Sequence, residues 1–156
     1  MRTICLAVGL ASAPILGFAM GDFGTAEEAQ SLANQMSAIV NEGGVDAAIA
    51  AMHDPSLPFT ATDMGVHVFE QSIIVADNRE PELIASSYAE VEDLTGEPMW
   101  PRIIAAADVQ GEAVLEWYHY DTEAEYTYNC YSEWATPQEV LVMVCLLYTS
   151  PSPRDA

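Results

Sequence analysis

The chain has 156 residues with 24 acidic and only four basic side chains, none of them lysine, for a formal net charge of −20. Binding to nucleic acid or anionic headgroups depends on Lys and Arg displacing counterions, so partners with a polyanionic backbone are excluded. Solubility in a saline medium, where salt screens self-repulsion beyond about 10 Å, accounts for such a charge without a special ligand.

Met1-Arg2-Thr3 gives a short positive start, Ile4 to Phe18 is an apolar and small stretch, and Gly17-Phe18-Ala19 offers small residues for cleavage. The stretch is shorter than the roughly 20 residues of a spanning helix. It predicts a secretory signal over residues 1–19, with an uncleaved N-terminal anchor as the alternative. The remainder is then periplasmic or secreted.

At the other end, Cys145 to Asp155 reads like an in-frame translation of a transposon-end adapter from sequencing libraries, appended to the apolar run Val140–Val144. Residues 145–156 are therefore set outside the fold, as an expression scar would be. That leaves residues 20–144 as one domain, enough for a single core, with the true C-terminus and any receptor region beyond it open. Without Arg2, Arg154 and Asp155 the domain carries about 23 acids against Arg79 and Arg102. Cys130 is then its one cysteine, read as a buried apolar filler or as the partner of a cysteine further along.

Thr25-Ala-Glu-Glu28 is a capping box, since the Thr25 hydroxyl and the Glu28 carboxylate can each satisfy the other's amide. Ala29, Leu32, Met36, Ile39 and Val40 follow at helical spacing. Gly43-Gly44 ends that helix and a shorter one spans Val45 to His53, so the first thirty or so residues predict a helical hairpin or a kinked helix.

Val66–Glu70 and Ser72–Ala76 alternate as one bent strand or two short ones leading to the turn Asp77-Asn78. Pro81–Glu92 predicts a partly helical loop over the sheet. Met99–Val109 is helical, with Pro101 tolerated in its first turn, and Gly111 breaks it. Ala113–Asp121, Glu125–Trp134 and Glu139–Val144 follow as strands. The layout is α+β: a long N-terminal helix packed on an antiparallel sheet of about five strands, with a helix between strands.

In this order Val66–Asn78, Asp93-Leu-Thr-Gly96, the aromatic strand Gly111–Tyr120, Tyr128-Asn-Cys-Tyr131 and Val140–Val144 resemble the single-Cache family of sensing domains, across nearly the whole domain. Two departures stand out: Tyr128 lies where the family often carries a basic residue, and the closing Gly-x-Tyr is missing. The resemblance implies a Cache-like (PAS-like) fold outside the cytoplasm that binds small molecules, often carboxylates or amines. It further implies a membrane-bound signalling partner or a C-terminal receptor region.

Arg79 and Arg102 are the only cations of the domain, and a guanidinium can clamp a carboxylate with two parallel hydrogen bonds. The resemblance favours Arg102, just after Trp100, with Trp100 beside it. Pairing with surface acids is the plain alternative for both arginines. Strand alternation puts Glu116, Tyr118 and Tyr120 on one face and Leu115, Trp117 and His119 on the other. The resemblance prefers the Tyr118/Tyr120 face as a pocket wall, joined by Tyr131, although core packing is the commoner fate of such rings.

His67/Glu70 and Glu116/His119 are three apart in strands and so point to opposite faces, which argues against a metal. No nucleophile elbow, phosphate loop or calcium loop is present. The expected function is a non-enzymatic small-molecule sensor recognising an organic acid or amine without a cofactor. A periplasmic protein-interaction module using its aromatic sheet face is the alternative.

Overall fold

The computed structural model describes residues 24–137 and 139–147, so the expected signal and the chain after Leu147 lie outside the described residues. Thr25 caps α1 (Ala26–Met52) as the sequence predicts: its hydroxyl accepts the Glu28 amide at 3.2 Å, and the Glu28 carboxylate accepts the Thr25 amide at 2.8 Å. The two expected helices are one kinked helix. Gly44 sits inside it at φ 73°, ψ −171°, a conformation nearly closed to residues with a Cβ. Among the described residues no helix is long and apolar enough to cross a membrane.

Five strands follow, β1 (Gly65–Glu70), β2 (Ile73–Asp77), β3 (Glu112–Tyr118), β4 (Glu125–Thr136) and β5 (Val140–Leu147), with α2 (Met99–Asp108) between β2 and β3. They form one antiparallel sheet in the order β2-β1-β5-β4-β3. Period-two alternation sorts the apolar residues of the central strand: Val140, Val142 and Val144 meet the α1 side, while Leu141 and Met143 meet the α2 side. α1 closes the first face over Met36, Val40, Phe59, Val66 and Val68. α2 and the loop before it close the second over Phe69, Ile74, Tyr88, Ile103 and Leu115.

Three expectations change. β5 continues three residues past its expected end, and Cys145 stands opposite Cys130 in the β4–β5 ladder, joined to it by a disulfide. The segment expected to be partly helical after Pro81 makes only one 3-10 turn, Pro81–Leu83. Beyond that turn it runs along the outer edge of β2, where Ile74 donates to Ser86, Ala85 donates to Ile74, and Tyr88 donates to Ser72. Those bonds occupy an edge that would otherwise invite another strand. A similar cover lies on β3, where the Leu94 amide donates to the Glu116 carbonyl.

The third concerns the β1–β2 hairpin, which is irregular. Glu70 and Phe69 face Ile73 and Ile74, but Val68 and His67 face Ala76 and Asp77, so Val75 is an extra residue in β2. Such a bulge reverses the alternation beyond it. Ile74 and Ala76, two residues apart, accordingly lie in cores on opposite faces of the sheet.

Candidate functional site

The bulge turns Asp77 onto the α2 side of the sheet, directly across from His67. His67 Nδ1 and Asp77 Oδ2 are 2.6 Å apart and both residues are buried. Burial alone would disfavour both charges, but each charge favours the other more strongly, so the His67 pKa is raised and the Asp77 pKa lowered. Asp77 Oδ1 in turn accepts the amides of Arg79 at 2.8 Å and Glu80 at 2.7 Å. One carboxylate thereby orients the imidazole and shapes the turn that presents Arg79 and Glu80.

Asn78 pins the same turn. Its side chain accepts the Val66 amide at 2.7 Å and donates to the carbonyls of Phe59 at 2.8 Å and Met64 at 3.1 Å.

These groups edge a pocket of about 50 Å³ on the α2 side of the sheet. Leu115, Trp117, Tyr128 and the Cys130–Cys145 bridge line it from the strands, and Tyr88 and Met99 from the segments above. Water needs about 10–15 Å³ on such a measure, so the space holds about four waters or an organic molecule of similarly few heavy atoms.

Arg79 reaches the pocket with its Nη2 donating to the Thr62 carbonyl and lying 3.4 Å from the Asp63 carboxylate. Its guanidinium carbon is 5.1 Å from the centre of the Tyr120 ring, a cation–π distance. The Arg79 Nε–H is buried and has no hydrogen-bond partner among the described residues. A buried unpaired charge-bearing donor is costly, so a site that leaves one open is suited to an acceptor from outside.

His67 bonds Asp77 through Nδ1, and its Nε2 lies beside Gly65, where an added Cβ would come within 2.9 Å of it. Gly65 and His67 both line the pocket. Glu80 lines it too, its pKa raised first by burial and further by Asp77 and Glu82, with His67 acting against them.

Of the residues singled out from sequence, Arg79, Tyr118 and Tyr120 line this pocket, and Trp100, Arg102 and Tyr131 do not. The inward face of β3 is the other one: Ala113 and Leu115 are buried and Trp117 packs with them, whereas Val114 is 49% exposed and Tyr118 45%. Tyr118 and Tyr120 reach the pocket at its mouth because β3 ends at Tyr118 and the chain turns there.

Arg102 is spent on the framework. Its Nη2 donates to Asp93 Oδ2 at 2.6 Å, its Nη1 to the Val114 carbonyl at 3.0 Å and its Nε to the Pro98 carbonyl at 3.1 Å. Trp100 packs on Phe69, ring centres 5.2 Å apart, and borders a separate groove with Trp134. Tyr131 points to the α1 side, its hydroxyl donating to Glu112 at 2.8 Å; burial and that carboxylate push its pKa up to about 12.

Sequence reasoning missed His67, Asp77 and Glu80. In the sequence His67 stands out only as half of a Glu/His pair, and the cross-strand register that gives it Asp77 depends on the bulge.

No protein-family model matches the chain, and no curated protein matches it. Solved structures do. A Cache chemosensory domain described for its carboxylic acid recognition superposes with a TM-score of 0.62 at 11% identity, over 80% of this chain and 92% of that one. A methyl-accepting chemotaxis protein from Vibrio parahaemolyticus RIMD 2210633 gives 0.59 at 13%, over 78% and 86%. A periplasmic sensor domain of a chemotaxis protein gives 0.57 at 16%, over 80% and 90%. The fold of this chain is that of Cache sensor domains, as the order of its motifs implied.

Proposed function

We propose that this Cache-fold chain is a non-enzymatic, extracytoplasmic sensor domain that holds a small organic acid between the Asp77–Glu80 turn and the aromatic ends of β3 and β4. The observation that carries the reading is the buried, unpartnered Nε–H of Arg79 on the wall of a small pocket. His67 lines the same wall, and its ring when protonated gives a second donor for a carboxylate. The rings supply apolar area with little conformational freedom to lose on binding. A nearby fold used for carboxylic acid recognition supports this choice of ligand.

The apolar run at residues 4–18 supports export, and the chemotaxis context of the similar folds supports a membrane-linked signalling partner or a receptor region beyond the domain. In this reading residues 20–144 are the evolved domain and the stretch from Cys145 is foreign, although in this chain it completes β5 and supplies the Cys145 half of the bridge on the pocket wall. Resequencing the source gene across codon 145 tests that boundary.

The functional test is a thermal-shift panel of short mono- and dicarboxylates on the full chain. A ligand at about 100 times its Kd stabilises by about 2.7 kcal/mol. A flat response across the panel, together with an unchanged profile for Arg79→Ala, would overturn the reading. The groove between Trp100, Ile104 and Trp134 favours a second reading, a protein-interaction module on the aromatic face. It predicts no shift with any small molecule.

A further inference from the structure

The α1 side of the sheet carries a polar cleft of its own, away from the pocket described above. Gln30 and Asn34 line it from α1, Gln110 from the turn after α2, and Tyr131 and Glu133 from β4. Gln30 and Asn34 are one helical turn apart and so share a face of α1. The Gly111 carbonyl accepts the Ser132 amide at 3.3 Å, which ties the turn carrying Gln110 to β4. Glu133 stands opposite Val142, a residue of the α1-side core, and directly paired residues of neighbouring strands share a face. Its carboxylate is therefore on the α1 side. Glu133 is only 8% exposed, yet it makes no hydrogen bond or ion pair through its side chain among the described residues. No basic side chain lines the cleft either. Buried charges are as a rule paired, so this carboxylate is open to a cation from outside.

From this arrangement we infer a second binding site, in which the cleft takes a small primary amine whose ammonium group meets the Glu133 carboxylate and the side-chain amide oxygens of Gln30, Asn34 and Gln110. A primary ammonium brings three N–H donors, which one carboxylate and a ring of amide oxygens satisfy together. A quaternary ammonium would bring none. A calcium-like ion gathers six to eight oxygens, with carboxylates prominent among them. Glu133 is the single acid lining the cleft, and among the described residues no group of three His, Cys, Asp or Glu side chains could hold a metal. The space agrees, since about 140 Å³ has room for about ten waters, far more than a bare ion fills. The net charge of −20 draws a cation toward the domain. The site is independent of the acid-binding reading, because the two spaces open on opposite faces of the sheet.

Titration calorimetry on the full chain at physiological salt tests it with butylamine, 1-butanol and calcium chloride as probes. Butylamine is expected to bind saturably with one site per chain, at least tenfold more tightly than butanol or calcium. Glu133→Gln, close to isosteric, should weaken butylamine at least tenfold. Glu42→Gln removes the same charge from an exposed position on α1 and should change the affinity less than twofold. Asn34→Phe fills the cleft from an exposed helix position while leaving the carboxylate in place, and should abolish binding. Circular dichroism of each variant keeps misfolding from passing for lost affinity. Absence of saturable butylamine binding, tighter binding of calcium, equal weakening by Glu42→Gln and Glu133→Gln, or an unchanged affinity in Asn34→Phe would each overturn the inference. None of these results touches the acid-sensor reading, which stands or falls with the carboxylate panel.

Discussion

Arg102 Nη2 and Asp93 Oδ2 lie 2.6 Å apart, and this ion pair ties the turn before α2 to both α2 and β3. Asp93 Oδ2 also accepts the Glu116 amide at 3.2 Å, while Oδ1 accepts the Thr95 amide at 2.9 Å and the Thr95 hydroxyl. The Asp93 side chain is 1% exposed and the Arg102 side chain 33%.

Removing the acid therefore costs more than removing the base. Burial would raise the Asp93 pKa, but the Arg102 hydrogen bond and those from Thr95 and Glu116 hold it well below the usual carboxylate range. Asp93→Ala should destabilise the domain by about 3 kcal/mol, since it strands a guanidinium and several amides; Arg102→Ala should cost about half as much. Urea unfolding of the two variants checks the order. The Asp93 contribution is present above pH ~3.8 and is lost as pH falls through the lowered folded value, so Asp93→Asn should flatten the acid limb of the stability profile.

The buried His67–Asp77 pair sets a second window. His67 contributes fully below its unfolded value of about 6.5, and that contribution fades as pH rises through its higher folded pKa. Asp77 contributes fully above about 3.8 and fades as pH falls through its lower folded value. Their joint stabilisation is expected to plateau between pH ~4 and ~6.5. Asp77→Ala should cost about 3 kcal/mol within that window, through loss of the pair and of the amide acceptor for Arg79 and Glu80. Denaturation midpoints measured from pH 4 to 9 check it, and His67→Gln should remove the alkaline fall.

Gly44 provides a backbone test. A Cβ there would meet nothing within 4 Å, so any cost of Gly44→Ala comes from φ 73°, ψ −171° alone. A loss of about 1–3 kcal/mol is expected. A neutral or stabilising result in thermal unfolding would mean that α1 straightens without penalty.

Gly65 provides a steric one. Gly65→Ala would put a methyl group 2.9 Å from His67 Nε2 and push the ring off the pocket wall. Calorimetry with a bound carboxylate should show affinity falling about tenfold, and the unfolding midpoint should fall too as the displaced ring loses its contact with Asp77.

Local chemistry made much of the scaffold legible. The Thr25/Glu28 capping box, the helical spacing from Ala29 to Val40, Gly44 and the alternation in β5 each act within a few residues, so the chain order of helices and strands follows from them. Which way the aromatic residues face does not. Leu115 and Trp117 turn inward because α2 packs over that side of β3, while the opposite side stays open at Val114.

Arg79 and Arg102 are indistinguishable by residue type, and only the folded contacts divide them: one is committed to Asp93, the other keeps a donor for the pocket. The site itself hangs on Val75. Were Val75 paired in regular register instead of bulged, His67 would face Ala76, and Asp77 would turn toward α1. A sheet register is settled by packing on both faces at once, and no single strand sequence contains that information.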